Sequence, residues 1–194
     1  MKFEIDSLKS TVLSMLEQGL PKDLFYHNRS HTLDVYEAAS KYAHMEKISK
    51  NDEHLLLVAS LLHDIGFTRR YDNNEELAVE IAQSLLPEYG FVKSEKKTIY
   101  GLIMATKIPQ HPKTRLQKII CDSDFDYLGK PYFVLRADLL RSEWQIYRNK
   151  IYTDPEWYKL QLEFLEKHRY FTNSAKKLRG QGKIENIRDL RKRV

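Results

Sequence analysis

The stretch NDEHLLLVASLLHDIG, at residues 51–66, decides the fold. Its apolar residues occupy nearly every side of a helix rather than one stripe, which is typical of a helix buried at the centre of a domain. Asn51 or Asp52 can cap the start of this helix, and Gly66 is placed to end it. We therefore expect a central buried helix that ends at the polar pair His63-Asp64.

The rest of the chain is also patterned for helices. Apolar residues recur at a spacing near 3.6 residues, and no segment shows the alternation of a half-buried strand. Seven glycines and six prolines in 194 residues favour long helices over many short strands joined by tight turns. The sequence predicts an all-α fold, with further helices at residues 75–86, 95–106, 113–128, 132–148 and 155–170.

Composition narrows the class of protein. Cys121 is the only cysteine, which excludes an intramolecular disulfide and a cysteine-rich zinc site. Residues 1–6 lack the apolar core of a signal peptide, and no stretch approaches the roughly 18 apolar residues of a membrane span. We therefore expect a cytoplasmic protein that does not enter a membrane.

The net charge of +5 is concentrated at the C-terminus, where residues 176–194 hold eight Lys or Arg residues against Glu185 and Asp189. A basic segment of this kind can bind nucleic acid. However, it contains no aromatic side chain that could stack on bases, so nucleic acid is a disfavoured partner. The sequence predicts a helical domain over residues 1–175 and a solvated basic extension over residues 176–194.

His63 and Asp64 place two metal-binding groups at the end of an otherwise apolar helix. A buried carboxylate without a partner costs several kcal/mol or becomes neutral. A divalent cation would satisfy both side chains at once. The alternative is that Asp64 accepts backbone hydrogen bonds while His63 is a hydrogen-bonded core histidine, and the dipeptide alone does not separate the two readings.

Polar residues beside two other apolar segments favour the metal. Upstream, YHNRSHT at residues 26–32 places His31 at the start of a helical stripe. Downstream, IICDSDFDYLG at residues 119–129 holds three aspartates at alternate positions, which cannot all face solvent because residues two apart lie about 200° apart on a helix. Asp122 follows the apolar pair most closely and is the predicted inward-facing carboxylate. Asp124 is the alternative inward-facing carboxylate. Asp126 lies on the same face as Asp122 and could contact a metal ligand without binding the metal itself.

The order His31, then His63-Asp64, then a distal aspartate resembles the HD-domain superfamily of metal-dependent phosphohydrolases. The flanking residues match as well, from Tyr26-His27-Asn28 through Leu62-His63-Asp64-Ile65-Gly66 to the acidic segment that ends in Leu128-Gly129. The resemblance implies a helical bundle whose inner face holds one or two divalent metals that activate water and clamp a phosphate. It implies the metal ligands His31, His63, Asp64 and Asp122, with Asp64 and His63 as the catalytic residues.

One departure from the family pattern bears on the number of metals. Members with two metals commonly carry a His-Glu pair after the HD motif, but here Asn74 stands where that histidine is expected. Lys107 lies near the position at which family members with two metals carry another ligand of the second metal. We therefore expect one divalent metal ion, and a ligand set of imidazoles and carboxylates suits Mn, Mg, Fe, Ni or Zn.

Three basic residues are candidates for binding substrate. Arg69 and Arg70 follow the HD motif and could bind phosphate oxygens in pairs, and Lys107 could bind them singly; a solvated loop is the alternative for each. His27 and His31 are four residues apart, but Asn28 stands where a metalloprotease needs glutamate, so His27 is expected to make structural hydrogen bonds instead.

The sequence thus predicts hydrolysis of a phosphomonoester or phosphodiester, with a nucleotide as the substrate class. The alternative is a catalytically silent HD module that binds a nucleotide for regulation. The intact ligand set argues against that alternative, because a pure sensor need not keep metal ligands with access to water.

Overall fold

The computed structural model describes residues 2–194, with side chains from Ile5 onward, and this part of the chain is helical without β-strands. The all-α prediction is confirmed. Within residues 2–194, short 3-10 helices lie at Ile65–Thr68, Leu86–Tyr89 and Asp126–Gly129. The described residues form the α-helices α1 (Lys2–Gly19), α2 (Arg29–Met45), α3 (Lys50–Leu62), α4 (Asn74–Leu85), α5 (Lys93–Ala105), α6 (Arg115–Asp124), α7 (Phe133–Tyr147), α8 (Asp154–Lys167) and α9 (Asn173–Arg191).

Helix α3 lies at the centre of the bundle, as its apolar sequence predicts. It packs against α1, α2, α5 and α6, and its last eight residues, from Leu55 to Leu62, are almost all buried. The helix begins two or three residues earlier than expected, because Ser49 rather than Asn51 or Asp52 caps it. Oγ of Ser49 accepts a hydrogen bond of 3.0 Å from the backbone N–H of Asp52.

Gly66 does not end α3, which already stops at Leu62. The glycine lies in the following 3-10 turn and allows that turn to touch the start of α4. A Cβ atom on Gly66 would lie 1.9 Å from the carbonyl oxygen of Asn74, so any larger residue would push the two segments apart. This close approach brings Asn74 beside Asp64.

Helix α9 packs on the bundle and crosses the boundary predicted between residues 175 and 176. Arg179 donates to both carboxylate oxygens of Asp126, at 2.6 and 3.0 Å. Nearby, a Cβ on Gly182 would lie 2.2 Å from the carbonyl oxygen of Gly129, and Leu190 is fully buried. The segment after residue 175 is therefore a helix packed on the bundle rather than a separate extension, and that part of the prediction is corrected. Six of its eight basic residues remain exposed, as a solvated basic segment predicts.

Candidate metal centre and substrate cavity

His31 lies in the first turn of α2, where the N-terminal cap fixes its position. Oδ1 of Asn28 accepts hydrogen bonds from the backbone N–H groups of Ser30, at 2.9 Å, and His31, at 3.2 Å. The imidazole is buried against the ring of Tyr26, with ring centroids 4.7 Å apart. The cap therefore sets where the helix starts and, with it, where the imidazole lies.

His63 lies directly after α3, and its orientation is set by the last turn of that helix. Its Nδ1 lies 2.9 Å from the carbonyl oxygen of Ser60, which can only accept a hydrogen bond. Nδ1 therefore carries the hydrogen, and Nε2 is the nitrogen available to a cation. Burial lowers the pKa of His63, but the carboxylates of Asp64 and Asp124 outweigh it and raise the pKa to about 9. A cation at Nε2 would have to displace that proton.

Asp124, the last residue of α6, faces both histidines. Its Oδ1 lies 3.2 Å from Nε2 of His31 and 3.7 Å from Nε2 of His63. The donor atoms of His31, His63 and Asp124 all lie within 4.8 Å of one another. Three helices, α2, α3 and α6, thus bring one donor each to the same point.

Asp64 lies against the same two nitrogens. Its Oδ2 is 3.4 Å from Nε2 of His31 and 3.1 Å from Nε2 of His63, while its Oδ1 accepts a hydrogen bond of 3.2 Å from the side-chain amide of Asn74. Burial opposes ionisation of Asp64, but the neighbouring His63 outweighs it and holds the pKa of the carboxyl below its usual range. The carboxylate is therefore charged and faces the imidazoles.

The cluster suits a divalent cation. Among the described residues, Nε2 of His31, Nε2 of His63 and Oδ2 of Asp64 are buried without a hydrogen-bond partner. Leaving a buried polar atom unpaired costs about 1–3 kcal/mol, so three such atoms at one point indicate a missing partner. Donor atoms that share one ion at about 2.0–2.2 Å lie roughly 3–4 Å apart. The four distances between the Nε2 atoms and the carboxylate oxygens given above lie in this range.

Asp122 does not join this cluster, so the predicted register is corrected. Its carboxylate accepts hydrogen bonds from the backbone N–H of Phe171 at 2.9 Å and of Thr172 at 2.7 Å, and from the hydroxyl of Thr172 at 2.6 Å. It therefore holds the start of α9. Asp124, two residues along α6, faces the opposite way, toward the histidines.

Asp126 does not support the cluster either. It accepts hydrogen bonds from Tyr42, at 2.5 Å, and Arg179, and Nζ of Lys130 lies 3.0 Å away. These partners tie α2 and α9 to the turn after α6. The outer two aspartates of the alternating set thus stabilise the fold, and the middle one faces the candidate metal centre.

A cavity of about 360 Å³ opens beside the cluster. Asp64 and Asp124 form part of its wall, together with Glu75, Lys107 and Arg148. Burial, and then the charge of Asp64, raise the pKa of Glu75 above its usual value. The donor cluster is therefore reachable by a molecule that enters the cavity.

The predicted phosphate-binding residues divide into two groups. Lys107 lines the cavity, where it forms an ion pair with Glu76. Arg69 and Arg70 do not line it: Arg69 is exposed and lies 3.5 Å from Glu80, and Arg70 is exposed and donates to the backbone carbonyl of Asp72. Their prediction is corrected, because the 3-10 turn after the HD motif directs both side chains to the surface.

Two residues of this region were not predicted from the sequence. Arg148 lines the cavity, and its place four residues after Trp144, directly beyond the end of α7, is the signal that could have found it. Glu143 is fully buried and accepts hydrogen bonds from the backbone N–H groups of Tyr26 and His27, at 2.5 and 2.7 Å. Nδ1 of His27 lies 2.6 Å from the same carboxylate, so His27 does make a structural contact near the start of α2.

The described helices include none with the length and apolar character to cross a membrane. The sequence model of a protein family described as HD domain matches residues 28–154. A comparison with curated proteins returns no match. The fold is similar to that of Bacillus subtilis YpgQ, solved as a crystal structure in complex with ADP, with a TM-score of 0.66 and 17% sequence identity over 96% of each chain.

Proposed function

The chain belongs to the HD-domain family, and from this premise we propose that it is a metal-dependent phosphohydrolase that acts on a phosphomonoester or phosphodiester. The family is the one that the order of His31, His63-Asp64 and a distal aspartate predicts. The observation that carries the proposal is the convergence of three buried, unpartnered donor atoms beside an open cavity.

The residues that would hold the ion are His31, His63, Asp64 and Asp124. A divalent cation supplies a lowered pKa of bound water and neutralises phosphate oxygens, which are the two requirements of phosphoester hydrolysis. The hydrogen bond from His63 to Ser60 presents Nε2 in a fixed direction. Asn74 holds Oδ1 of Asp64, so this carboxylate can orient a water molecule at the cavity wall.

The ammonium group of Lys107 would balance part of the charge of a bound phosphate, because Lys107 lines the cavity that Asp64 and Asp124 face. We propose a nucleotide as the substrate class, because the structurally similar YpgQ was crystallised with ADP and the cavity carries aromatic residues beside its charged ones.

We propose one ion per chain. Asn74 donates its amide hydrogen to Asp64, so at the place of the second-metal histidine the chain presents a donor rather than a ligand. The ammonium group of Lys107 would in addition repel a second cation in the same cavity. The ligand set is compatible with Mn²⁺, Mg²⁺, Fe²⁺, Ni²⁺ or Zn²⁺.

The test is a phosphatase screen with each of these metals over nucleotides, cyclic nucleotides and p-nitrophenyl phosphate. We expect at least one nucleotide to be hydrolysed, and we expect both chelation and Asp64→Ala to abolish turnover while the helical circular dichroism is kept. Asp189→Ala, at an exposed position of α9, is the matched control and should keep full activity. Nucleotide binding without turnover of any compound would contradict hydrolysis and favour the regulatory alternative.

A further inference from the structure

Two residues of α7 and the residue directly after it form a strip along the cavity. Leu140 and Trp144 are four apart and share one face of α7. Arg148 follows the last residue of the helix, and all three line the cavity into which Asp64 and Asp124 also face. Trp144 and Leu140 are only partly buried. The cavity therefore has a flat, largely apolar wall in addition to the charged groups of the candidate metal centre.

The aromatic part of this wall is held rigidly from behind. Trp144 packs edge-on against the fully buried Trp157, with ring centroids 5.6 Å apart and an interplanar angle of 84°. Tyr71, which also lines the cavity, stacks on Tyr147 at 4.5 Å with an angle of 6°. Such packing fixes both rings before a ligand arrives, which lowers the entropy cost of binding.

Arg148 completes the wall. Its guanidinium carbon lies 5.4 Å from the ring centroid of Tyr71 and 5.9 Å from that of Trp144. A guanidinium that lies over aromatic rings presents its own flat face to a ligand, and flat heteroaromatic rings stack on both guanidinium and indole groups. An aliphatic phosphate ester would leave this wall without a matching partner.

We propose that Trp144 and Arg148 form a subsite that stacks on the base of a nucleotide. The subsite rests on the proposed function in one respect, since it places the base of the substrate while the candidate metal centre receives the phosphate. The chain therefore selects phosphate compounds that carry a flat heteroaromatic ring over aliphatic ones.

The first experiment uses tryptophan fluorescence, because the sequence contains only two tryptophans. Trp157→Phe leaves Trp144 as the sole emitter. In the presence of Mn²⁺, we expect ADP to quench this emission, and ribose 5-phosphate and inorganic pyrophosphate to leave it unchanged. Binding of ADP without quenching, or quenching by all three compounds alike, would overturn the subsite.

The second experiment does not depend on the folding of the Trp157 variant. Calorimetric titration compares ADP and pyrophosphate on the wild type and on Trp144→Leu. Base stacking on an aromatic side chain is worth about 1–3 kcal/mol, so we expect ADP binding to weaken about fivefold or more while pyrophosphate binding stays within about twofold. Leu135→Ala, on the exposed face of the same helix, is the matched control and should bind both ligands as the wild type does.

Arg148→Lys separates stacking from charge. Lysine keeps the positive charge but has no flat face, so we expect ADP binding to weaken and pyrophosphate binding to persist. Equal losses for ADP and pyrophosphate would mean that Arg148 binds phosphate, which would overturn its place in the subsite. Failure of the proposed function is distinguishable: selective ADP binding without hydrolysis would keep the subsite and contradict the phosphohydrolase.

Discussion

Oδ1 of Asp124 lies 3.2 Å from Nε2 of His31, which joins the end of α6 to the first turn of α2. His63, at the end of α3, lies against the same carboxylate oxygen at 3.7 Å. The donor atoms thus come from three helices that are distant in the chain. The candidate metal centre therefore exists only when those helices are packed, and its geometry depends on the core around α3.

Removing the buried carboxylate of Glu143 is expected to lower the stability of the protein strongly. It is the acceptor for two backbone N–H groups and lies against the ring of His27, so Glu143→Ala leaves buried donors without a partner. We expect the free energy of unfolding to fall by about 3–5 kcal/mol, as measured by urea denaturation. Glu163→Ala, on the exposed face of α8, should change it by less than about 0.5 kcal/mol. Equal effects of the two substitutions would refute the anchoring role of Glu143.

Alanine substitutions at two glycines of α9 are expected to change the stability of the protein in opposite directions. A Cβ on Gly182 would lie 2.2 Å from the carbonyl oxygen of Gly129, whereas a Cβ on Gly180 meets nothing within 4 Å. We expect Gly182→Ala to destabilise the protein by about 1–3 kcal/mol. Gly180→Ala should stabilise it by up to about 1 kcal/mol, because alanine favours a helix interior. Thermal unfolding of both variants measures this, and an unaffected Gly182→Ala would mean that α9 does not pack on the bundle.

His168 predicts a loss of stability in acid. Burial and the positive charges of Lys183 and Arg169 lower its pKa to about 3. The unfolded chain has the ordinary pKa near 6.5, so it binds a proton that the folded chain excludes. The contribution of neutral His168 to the free energy of unfolding is fully present above about pH 6.5 and is lost as the pH falls toward 3.

Urea denaturation between pH 3.5 and 7.5 measures this contribution. We expect His168→Gln to reduce the pH dependence over this range, and His111→Gln, at an exposed position, to leave it as in the wild type. A His168→Gln variant with an unchanged pH profile would show that His168 does not titrate at a shifted pKa.

Much of the fold follows from local patterns. The apolar residues of α3 predict a buried central helix, and the helix bounds elsewhere depart from the expected ones by only a few residues. These features depend on periodicity and caps, which neighbouring residues specify. The order of His31, His63 and Asp64 also predicts that they meet, because the motif pattern carries that information.

Other features depend on contacts that no local pattern specifies. The sequence around Asp122 and Asp124 does not indicate which of them faces the histidines. Thr172, fifty residues away from Asp122, donates a hydrogen bond to Asp122, and Asp124 is left to face the histidines. Glu143 on an amphipathic helix is indistinguishable from a solvated glutamate until the loop before α2 packs on it. Arg69 and Arg70 follow the HD motif, but the 3-10 turn directs them to solvent.

The most direct measurement is Mn²⁺ binding by calorimetry, with thermal unfolding in parallel, for the wild type, Asp124→Asn and Asp122→Asn. Both substitutions remove one carboxylate charge from the same helix, so each controls for the other. We expect one Mn²⁺ per wild-type chain and a rise in melting temperature on binding.

Asp124→Asn should abolish or weaken Mn²⁺ binding at least tenfold while the ion-free protein keeps its melting temperature. Asp122→Asn should lower the melting temperature of the ion-free protein, because it weakens the anchor of α9, but it should still bind one Mn²⁺. The reverse pattern, in which Asp122→Asn loses the ion and Asp124→Asn keeps it, would contradict the proposed metal centre.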